Sequence, residues 1–397
     1  MATISLKSGR DKSVRQRHPR LFSGALKTVD GKPKDGDVVD VVDNKGAWLA
    51  RGVINQLSST AVRLLSWQVG EAIDDAFWQR AVQAAVARRA ADPLLAHSNA
   101  RRLIFSESDG LPGVIADDYA GHIVVEFSTL CALRARDVII AALREAAQPR
   151  QIVEQLDAER LRTEYGNNAR LVQSLDSGAA PDPARVMIEE HGLRFHVNLA
   201  GTQKTGFYLD QRENRARVAR YCRGARVLNM FSFSGAFSVH ASAAGATHII
   251  NVDSSRDALD LAAENAAANA QTNISHEQAD AFEQLRAYRD AGEQFDMVIL
   301  DPPKFAHHPG QIDKAARAYK DLNRLGLGLL APGGVLATFS CSGVVDAALF
   351  QQIIFSAGLE AGRACQIVER LTQASDHPVL TSFPESEYLK GLIVRMT

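Results

Sequence analysis

The stretch Phe295-Asp-Met-Val-Ile-Leu-Asp-Pro-Pro-Lys-Phe305 reads as a buried strand that stops at Asp-Pro-Pro. An apolar run of that length bounded by a turn signal is the mark of a core strand. Pro302-Pro303 stiffens the loop that follows and supplies carbonyls without competing N–H groups. The strand therefore delivers one carboxylate, Asp301, to its carboxyl end. A second run ends in Phe339-Ser-Cys-Ser-Gly343 and delivers one thiol, Cys341, to the same kind of place. Open α/β sheets bind ligands at that edge. An acid and a thiol presented there together point to nucleophilic chemistry on an electron-poor ring.

Working outward, strand-like segments recur at Arg226–Phe231, Thr247–Val252, Ile274–Gln278, Phe295–Leu300, Val335–Ser340, Cys365–Leu371 and Tyr388–Arg395. Helical segments fit between the first six. Alternating strands and helices predict an α/β, mostly parallel, doubly wound sheet, with the last two strands antiparallel at one edge. Upstream, Asp37–Val42, Trp48–Ile54 and Ala61–Trp67 are short β-like runs separated by turn residues, which predicts a small β-barrel or sandwich over residues 1–72. A middle α+β domain is expected over 73–190. It opens with a helix from Asp75 that stops at Asp92-Pro93 and ends in a β-hairpin around Glu190-His-Gly192. Residues 191–397 form the third domain. The polar stretch Gly166–Pro183 reads as an exposed loop or linker.

Composition bounds the class. The 397 residues are 46% hydrophobic and 23% charged, as in a soluble globular protein. No stretch approaches a membrane span and no apolar leader follows the N-terminus, so the expected location is the cytoplasm. The four cysteines, Cys131, Cys222, Cys341 and Cys365, are far apart and form no CxxC, which argues against a disulfide framework or a zinc site. His307-His308 lacks companion ligands, so no metal is expected. Net charge is −1, yet residues 1–34 carry nine cations against two carboxylates, leaving +7 there and −8 elsewhere. Arg15, Arg17 and Arg20 crowd into one short stretch. A basic end on an acidic body suits an anionic partner such as RNA, although charge runs are more often solvated faces.

The unit Val227-Leu-Asn-Met-Phe-Ser-Phe-Ser-Gly-Ala-Phe-Ser238 is a strand, a small-residue turn and a helix start. Asn229, Phe231, Ser232, Phe233, Ser234 and Gly235 are the candidates there for holding a cofactor. The turn has one glycine where a dinucleotide fingerprint needs three, which argues against a nicotinamide enzyme. Asp253 ends the second strand, where an acid accepts from ribose hydroxyls or caps the next helix. Asp280 ends the third, where it faces an adenine amino group or serves as a cap, with Phe282 as an apolar wall. One glycine turn and two such acids suit a nucleoside without a diphosphate, with S-adenosylmethionine the leading candidate.

Asn229-Met-Phe-Ser-Phe-Ser-Gly235, Asp253, Asp280, Asp301-Pro-Pro-Lys-Phe305 and Ser340-Cys-Ser342 together resemble the motifs of S-adenosylmethionine-dependent RNA methyltransferases. The nearest resemblance is to the bacterial large-subunit ribosomal RNA 5-methylcytosine methyltransferases of the methyltransferase I family. It covers nearly the whole chain, including Glu189-Glu-His-Gly-Leu193 and Lys204-Thr-Gly-Phe-Tyr-Leu-Asp-Gln-Arg212. The resemblance implies a Rossmann-like seven-stranded methyltransferase sheet, a PUA-like N-terminal domain and 23S ribosomal RNA as partner. A homodimer is an open expectation.

On that reading Cys341 is the nucleophile. Carbon-5 of a pyrimidine is a poor nucleophile, and a thiolate adding to carbon-6 raises its electron density. A thiol with a pKa near ~8.5 is mostly protonated at neutral pH and needs activation. Asp301 orients the base, at the cofactor's edge, and can take part in proton transfer. Lys204 and Lys304 join Arg15, Arg17 and Arg20 as candidate RNA contacts, and Asp210 and Arg212 form either part of the site or a structural ion pair. Some RNA 5-methylcytosine enzymes carry a second cysteine beside the proline after the acid. Here Asp301-Pro-Pro-Lys304 has none, so another group assists product release. The alternatives are methylation of a uridine carbon-5 or a guanine nitrogen, and an RNA-binding assembly factor without catalysis.

Overall fold

Val38-Val-Asp-Val-Val42 alternates buried and half-buried side chains, as a strand with one covered face must. It belongs to a computed structural model that describes residues 1–156, 164, 184–199, 206–306 and 308–397. These residues divide into two units, one of Met1–Val186, Val197–Phe207 and Asp376–Ser386, the other of Met187–His196, Tyr208–Ser375 and Glu387–Thr397.

In the first unit, strands β1 (Ala2–Leu6), β2 (Arg20–Leu21), β3 (Leu26–Asp30), β4 (Val38–Val42), β5 (Trp48–Ile54) and β6 (Val62–Ser66) form one mixed sheet in the order β2-β6-β5-β4-β1-β3. Only β1 and β4 run parallel. Ile4, Leu6, Val14, Leu21, Val39, Val41 and Leu64 fill its core. This is the small β-domain expected at the N-terminus. Helix α1 (Asp75–Ala90) follows, opened by Asp74, whose side chain accepts from the Phe77 amide. It packs with a four-stranded sheet of β7 (Ala100–Phe105), β8 (Val114–Tyr119), β9 (His122–Phe127) and β10 (Gln151–Leu156), ordered β10-β9-β8-β7. Helix α2 (Arg136–Ala147) covers the same core through Ile139, Ile140 and Leu143. The expected linker Gly166–Pro183 lies outside the described residues.

The hairpin of β11 (Arg185–Glu190) and β12 (Leu193–Asn198) turns at His191-Gly192. The expected boundary at residue 190 falls at this turn, and Met187–His196 groups with the second unit.

The second unit holds a seven-stranded sheet of β13 (Arg226–Met230), β14 (His248–Asp253), β15 (Ile274–Gln278), β16 (Phe295–Leu300), β17 (Leu330–Ser340), β18 (Cys365–Thr372) and β19 (Lys390–Met396). The order is β15-β14-β13-β16-β17-β19-β18. The first five strands pair parallel, and β19 lies antiparallel between β17 and β18. Helices α3 (Arg212–Ala219), α4 (Ala236–Ala243), α5 (Arg256–Ala268), α6 (Ala281–Asp290), α7 (Ile312–Gly328) and α8 (Ala347–Glu360) complete it. Successive strand residues enter opposite cores. Leu228, Val298, Leu300 and Leu336 pack with Leu322, Tyr319 and Phe350, while Val227, Met297, Ile299 and Ala337 pack with Val218, Phe237 and Ala241. Burial on both faces explains why these strands read as continuous apolar runs. The order reverses between β13 and β16, which opens a crevice at their carboxyl ends.

Candidate active site

The loop after β13 carries an unusual backbone. Phe231, Phe233 and Gly235 all have positive φ, at 57°, 45° and 71°. Two aromatic residues in the left-handed region store strain, which marks turns shaped for a ligand. At Gly235 a side chain is excluded outright, because a Cβ would lie 2.9 Å from that of Ala262 and 3.1 Å from the Asn251 amide nitrogen. Neighbouring elements clamp the turn. Asn265 of α5 donates to the Ser234 carbonyl at 2.9 Å, and the Phe233 amide donates to Asp253 at 2.9 Å. Buried Ser232 keeps a hydroxyl with no partner among the described residues. An orphaned hydroxyl inside a strained turn fits a polar ligand that supplies the missing bond.

Asp253 stands at the end of β14, and its other oxygen accepts from the Ser255 amide at 3.0 Å. The cap of α5 is Ser255, so Asp253 ties the turn after β13 to the end of β14 instead of capping. Asp280 is an exposed cap: one of its oxygens accepts from the Phe282 and Glu283 amides at 2.9 and 3.1 Å. Phe282 lies 6.3 Å from Phe305, whose ring is tilted against Tyr319 at 4.6 Å, so the apolar wall is continuous with the Asp-Pro-Pro loop. Asn229 is placed differently from the turn residues. It is buried beneath them, and its amide donates to Ser238 at 2.9 Å and to Asn251 at 3.2 Å.

Asp301 and Cys341 follow the adjacent parallel strands β16 and β17, both half-buried at the sheet edge. Side-chain hydrogen bonds hold their loops. Gln211 donates to Asp301 at 3.0 Å, and the Ser342 hydroxyl donates to the Ala306 carbonyl at 2.6 Å. Gln211 is buried, and its carbonyl oxygen accepts from Asn214 at 2.6 Å, so a fixed amide chain reaches the acid. Tyr208 sets its ring against Phe233 at 5.2 Å, edge to face. Burial raises its hydroxyl pKa, and the charges of Asp301, Asp210, Cys341 and Asp253 raise it further. Asp210 is bonded by the Tyr388 hydroxyl.

Burial pushes the thiols of Cys131 and Cys222 up to about 12, which leaves them inert, and also raises that of Cys365. The half-buried Cys341 sits beside Lys390, the first residue of β19, which pairs in register with Ser340. Sequence reasoning did not single out Gln211 or Lys390. A lysine inside the apolar run Leu389–Val394 was the available signal for the latter.

The basic candidates separate. Arg15 is exposed but bonded to Asp11 at 2.6 Å and Asp43 at 3.0 Å. Arg20 is bonded to buried Glu107 at 2.7 Å and lies over the Phe383 ring. Arg17 is exposed on a left-handed turn, and Lys304 is exposed beside Pro303. Lys204 lies outside the described residues.

Comparisons with known proteins bear on the family and the fold. A family model described as S-adenosylmethionine-dependent methyltransferase matches residues 144–395, and one described as PUA-like domain matches residues 4–67. The chain is 45% identical over 396 residues to ribosomal RNA large subunit methyltransferase I of Tolumonas auensis and 43% identical over 395 residues to that of Shewanella amazonensis. Each alignment covers 99% of both chains. Among solved structures it is similar to a chain from Streptococcus mutans assigned as a SAM-dependent methyltransferase, with TM-score 0.82 and 22% identity. A methyltransferase chain solved with SAH superposes with TM-score 0.84 at the same identity. Both structural matches cover all of each chain and speak for the fold.

Proposed function

This chain belongs to the S-adenosylmethionine-dependent methyltransferases, in the family of the ribosomal RNA large subunit methyltransferases I, and on that premise we propose that it methylates carbon-5 of a cytosine in 23S ribosomal RNA through a covalent adduct with Cys341. One observation carries the reading: the bond from Ser342 to Ala306 locks the thiol loop against the Asp301 loop on neighbouring strands. Nitrogen methylation has no use for such a thiol.

Ser232, the Phe231–Gly235 turn and Asp253 hold S-adenosylmethionine, which supplies an electrophilic methyl group on a sulfonium. Tyr208 and Phe282 line its apolar edges. Asp301, fixed by Gln211, bonds to the polar edge of the base and fixes its plane. The Cys341 thiolate forms a bond to carbon-6, and the ring's electron pair moves to carbon-5, the site of methylation. That pair would take the methyl group as its bond to the sulfonium breaks, leaving S-adenosylhomocysteine. A base then removes the carbon-5 proton, the C–H electrons re-form the double bond to carbon-6, and the C–S electrons leave with the Cys341 thiolate. The target base leaves its stack to reach the crevice, while the basic N-terminal domain holds phosphates. Mass spectrometry of nuclease fragments of ribosomal RNA, from cells with and without the protein, tests this. A single 23S fragment lighter by one methyl in the deletion supports it, and identical fragments overturn it.

A further inference from the structure

Lys390 is a cation in an unfavourable place. It is only 7% exposed, and among the described residues its ammonium hydrogen-bonds to backbone carbonyls alone. Burying a charge away from water is unfavourable unless hydrogen bonds or an opposite charge compensate it. Its position is nevertheless tightly specified. Register sets it opposite Ser340, and its Nζ donates to the carbonyls of Ser342 at 2.6 Å and Tyr388 at 2.8 Å. An ammonium has three protons, so among the described residues one is left without an acceptor. The next residue, Gly391, lets the strand press against Phe339, because a Cβ there would lie 2.6 Å from the ring. The loop Ser340-Cys341-Ser342 therefore folds around a buried cation.

Lys390 touches both flanks of Cys341, pairing with Ser340 and bonding to the Ser342 carbonyl. Burial is the largest influence and brings its pKa down to about 8. Among groups that favour the charged form, Cys341 acts most strongly, ahead of Glu387 and Asp346, while Lys304 opposes it. A buried ammonium that flanks a thiol is matched when that thiol ionises.

We propose that Lys390 is the positioning and activating residue for Cys341: its ammonium anchors the thiol loop through Ser342 and serves as counter-ion to the Cys341 thiolate. The inference rests on the covalent role of Cys341 given above. It also fills the gap left by the missing second cysteine, since a stabilised thiolate is the better leaving group when the product is released.

The test is alkylation of Cys341 by iodoacetamide across pH in the full-length protein, followed by the mass of the peptide that carries it. The wild-type midpoint is expected below the ordinary thiol value of about 8.5. Lys390→Met should raise it by about one pH unit or more and slow methyl transfer about tenfold near neutral pH, with S-adenosylmethionine affinity unchanged. Lys390→Arg, which keeps the charge, should restore part of the shift. An unchanged midpoint in folded Lys390→Met overturns the proposal. So does a wild-type midpoint at or above the ordinary value, which requires no variant to fold. Alkylation is independent of the RNA target. If Cys341→Ala still methylates while Lys390 still sets the midpoint, the covalent reading fails and the pairing stands.

Discussion

The Ser342 hydroxyl donates to the Ala306 carbonyl at 2.6 Å, so the loop that carries the thiol and the loop that carries the acid move as one piece. Both ends of this bond are buried, and removing the donor leaves a carbonyl without its partner, a cost of about 1–3 kcal/mol. Ser342→Ala should lower kcat about tenfold or more while leaving S-adenosylmethionine affinity intact, because misplacing reacting groups acts on the chemical step. Single-turnover methylation and calorimetry on the same sample separate the two.

Cys341→Ala should abolish methyl transfer and leave cofactor binding unchanged, since the thiol follows β17 and the cofactor turn follows β13. Full activity in this variant, measured as methyl incorporation into ribosomal RNA, would exclude the covalent route.

Gly235→Ala tests the turn itself. The position has φ of 71° and no room for a Cβ. The left-handed conformation alone costs about 1–2 kcal/mol for a residue with a side chain, and the clash with Ala262 adds to it. Calorimetry should show S-adenosylmethionine binding weakened about tenfold or more, with a lower melting temperature.

Glu190 is fully buried and bonds to Arg215 at 2.7 and 2.6 Å and to His240 at 3.0 Å. Burial alone would raise its pKa, but Arg215 and His240 together hold it far below the ordinary value of 4.5. A depressed folded pKa means that this stabilisation is present above pH 4.5 and is lost as pH falls through the folded value. Glu190→Gln removes the charge and strands Arg215, at a cost of about 3–5 kcal/mol. Denaturant titration at neutral pH should show that loss, and the gap between wild type and variant should narrow in strong acid.

Arg17 and Arg20 should behave differently although they are three positions apart. Arg17 is exposed, so Arg17→Ala should weaken RNA binding and lower the salt slope by about 1. Arg20 is bonded to buried Glu107, so Arg20→Ala should lower the melting temperature of the first unit. Salt-dependent binding and thermal scans on both variants distinguish these outcomes.

The alternation of strands and helices, the antiparallel final pair and the small β-domain were all legible in the sequence, because hydrophobic period and turn residues are local properties. Asp301 and Cys341 were legible for the same reason: each sits where an apolar run ends. The roles of Asn229, Asp253 and Asp280 were not. Whether an acid caps a helix or faces a crevice depends on which amide lies within about 3 Å, and only the fold sets that distance. Asp280 spends one oxygen on its own helix, and Asp253 reaches across to the Phe233 amide.

The order of elements, the two catalytic candidates and the candidate cofactor turn follow from residue type and spacing along one chain. Tertiary structure alone decided what stands beside Cys341. Lys390 lies 49 positions further on, and only the antiparallel pairing of β17 with β19 brings it opposite Ser340. Gln211 reaches Asp301 across 90 positions in the same way. Such contacts carry no periodic signature, because side chains distant in sequence meet only when the sheet sets their register.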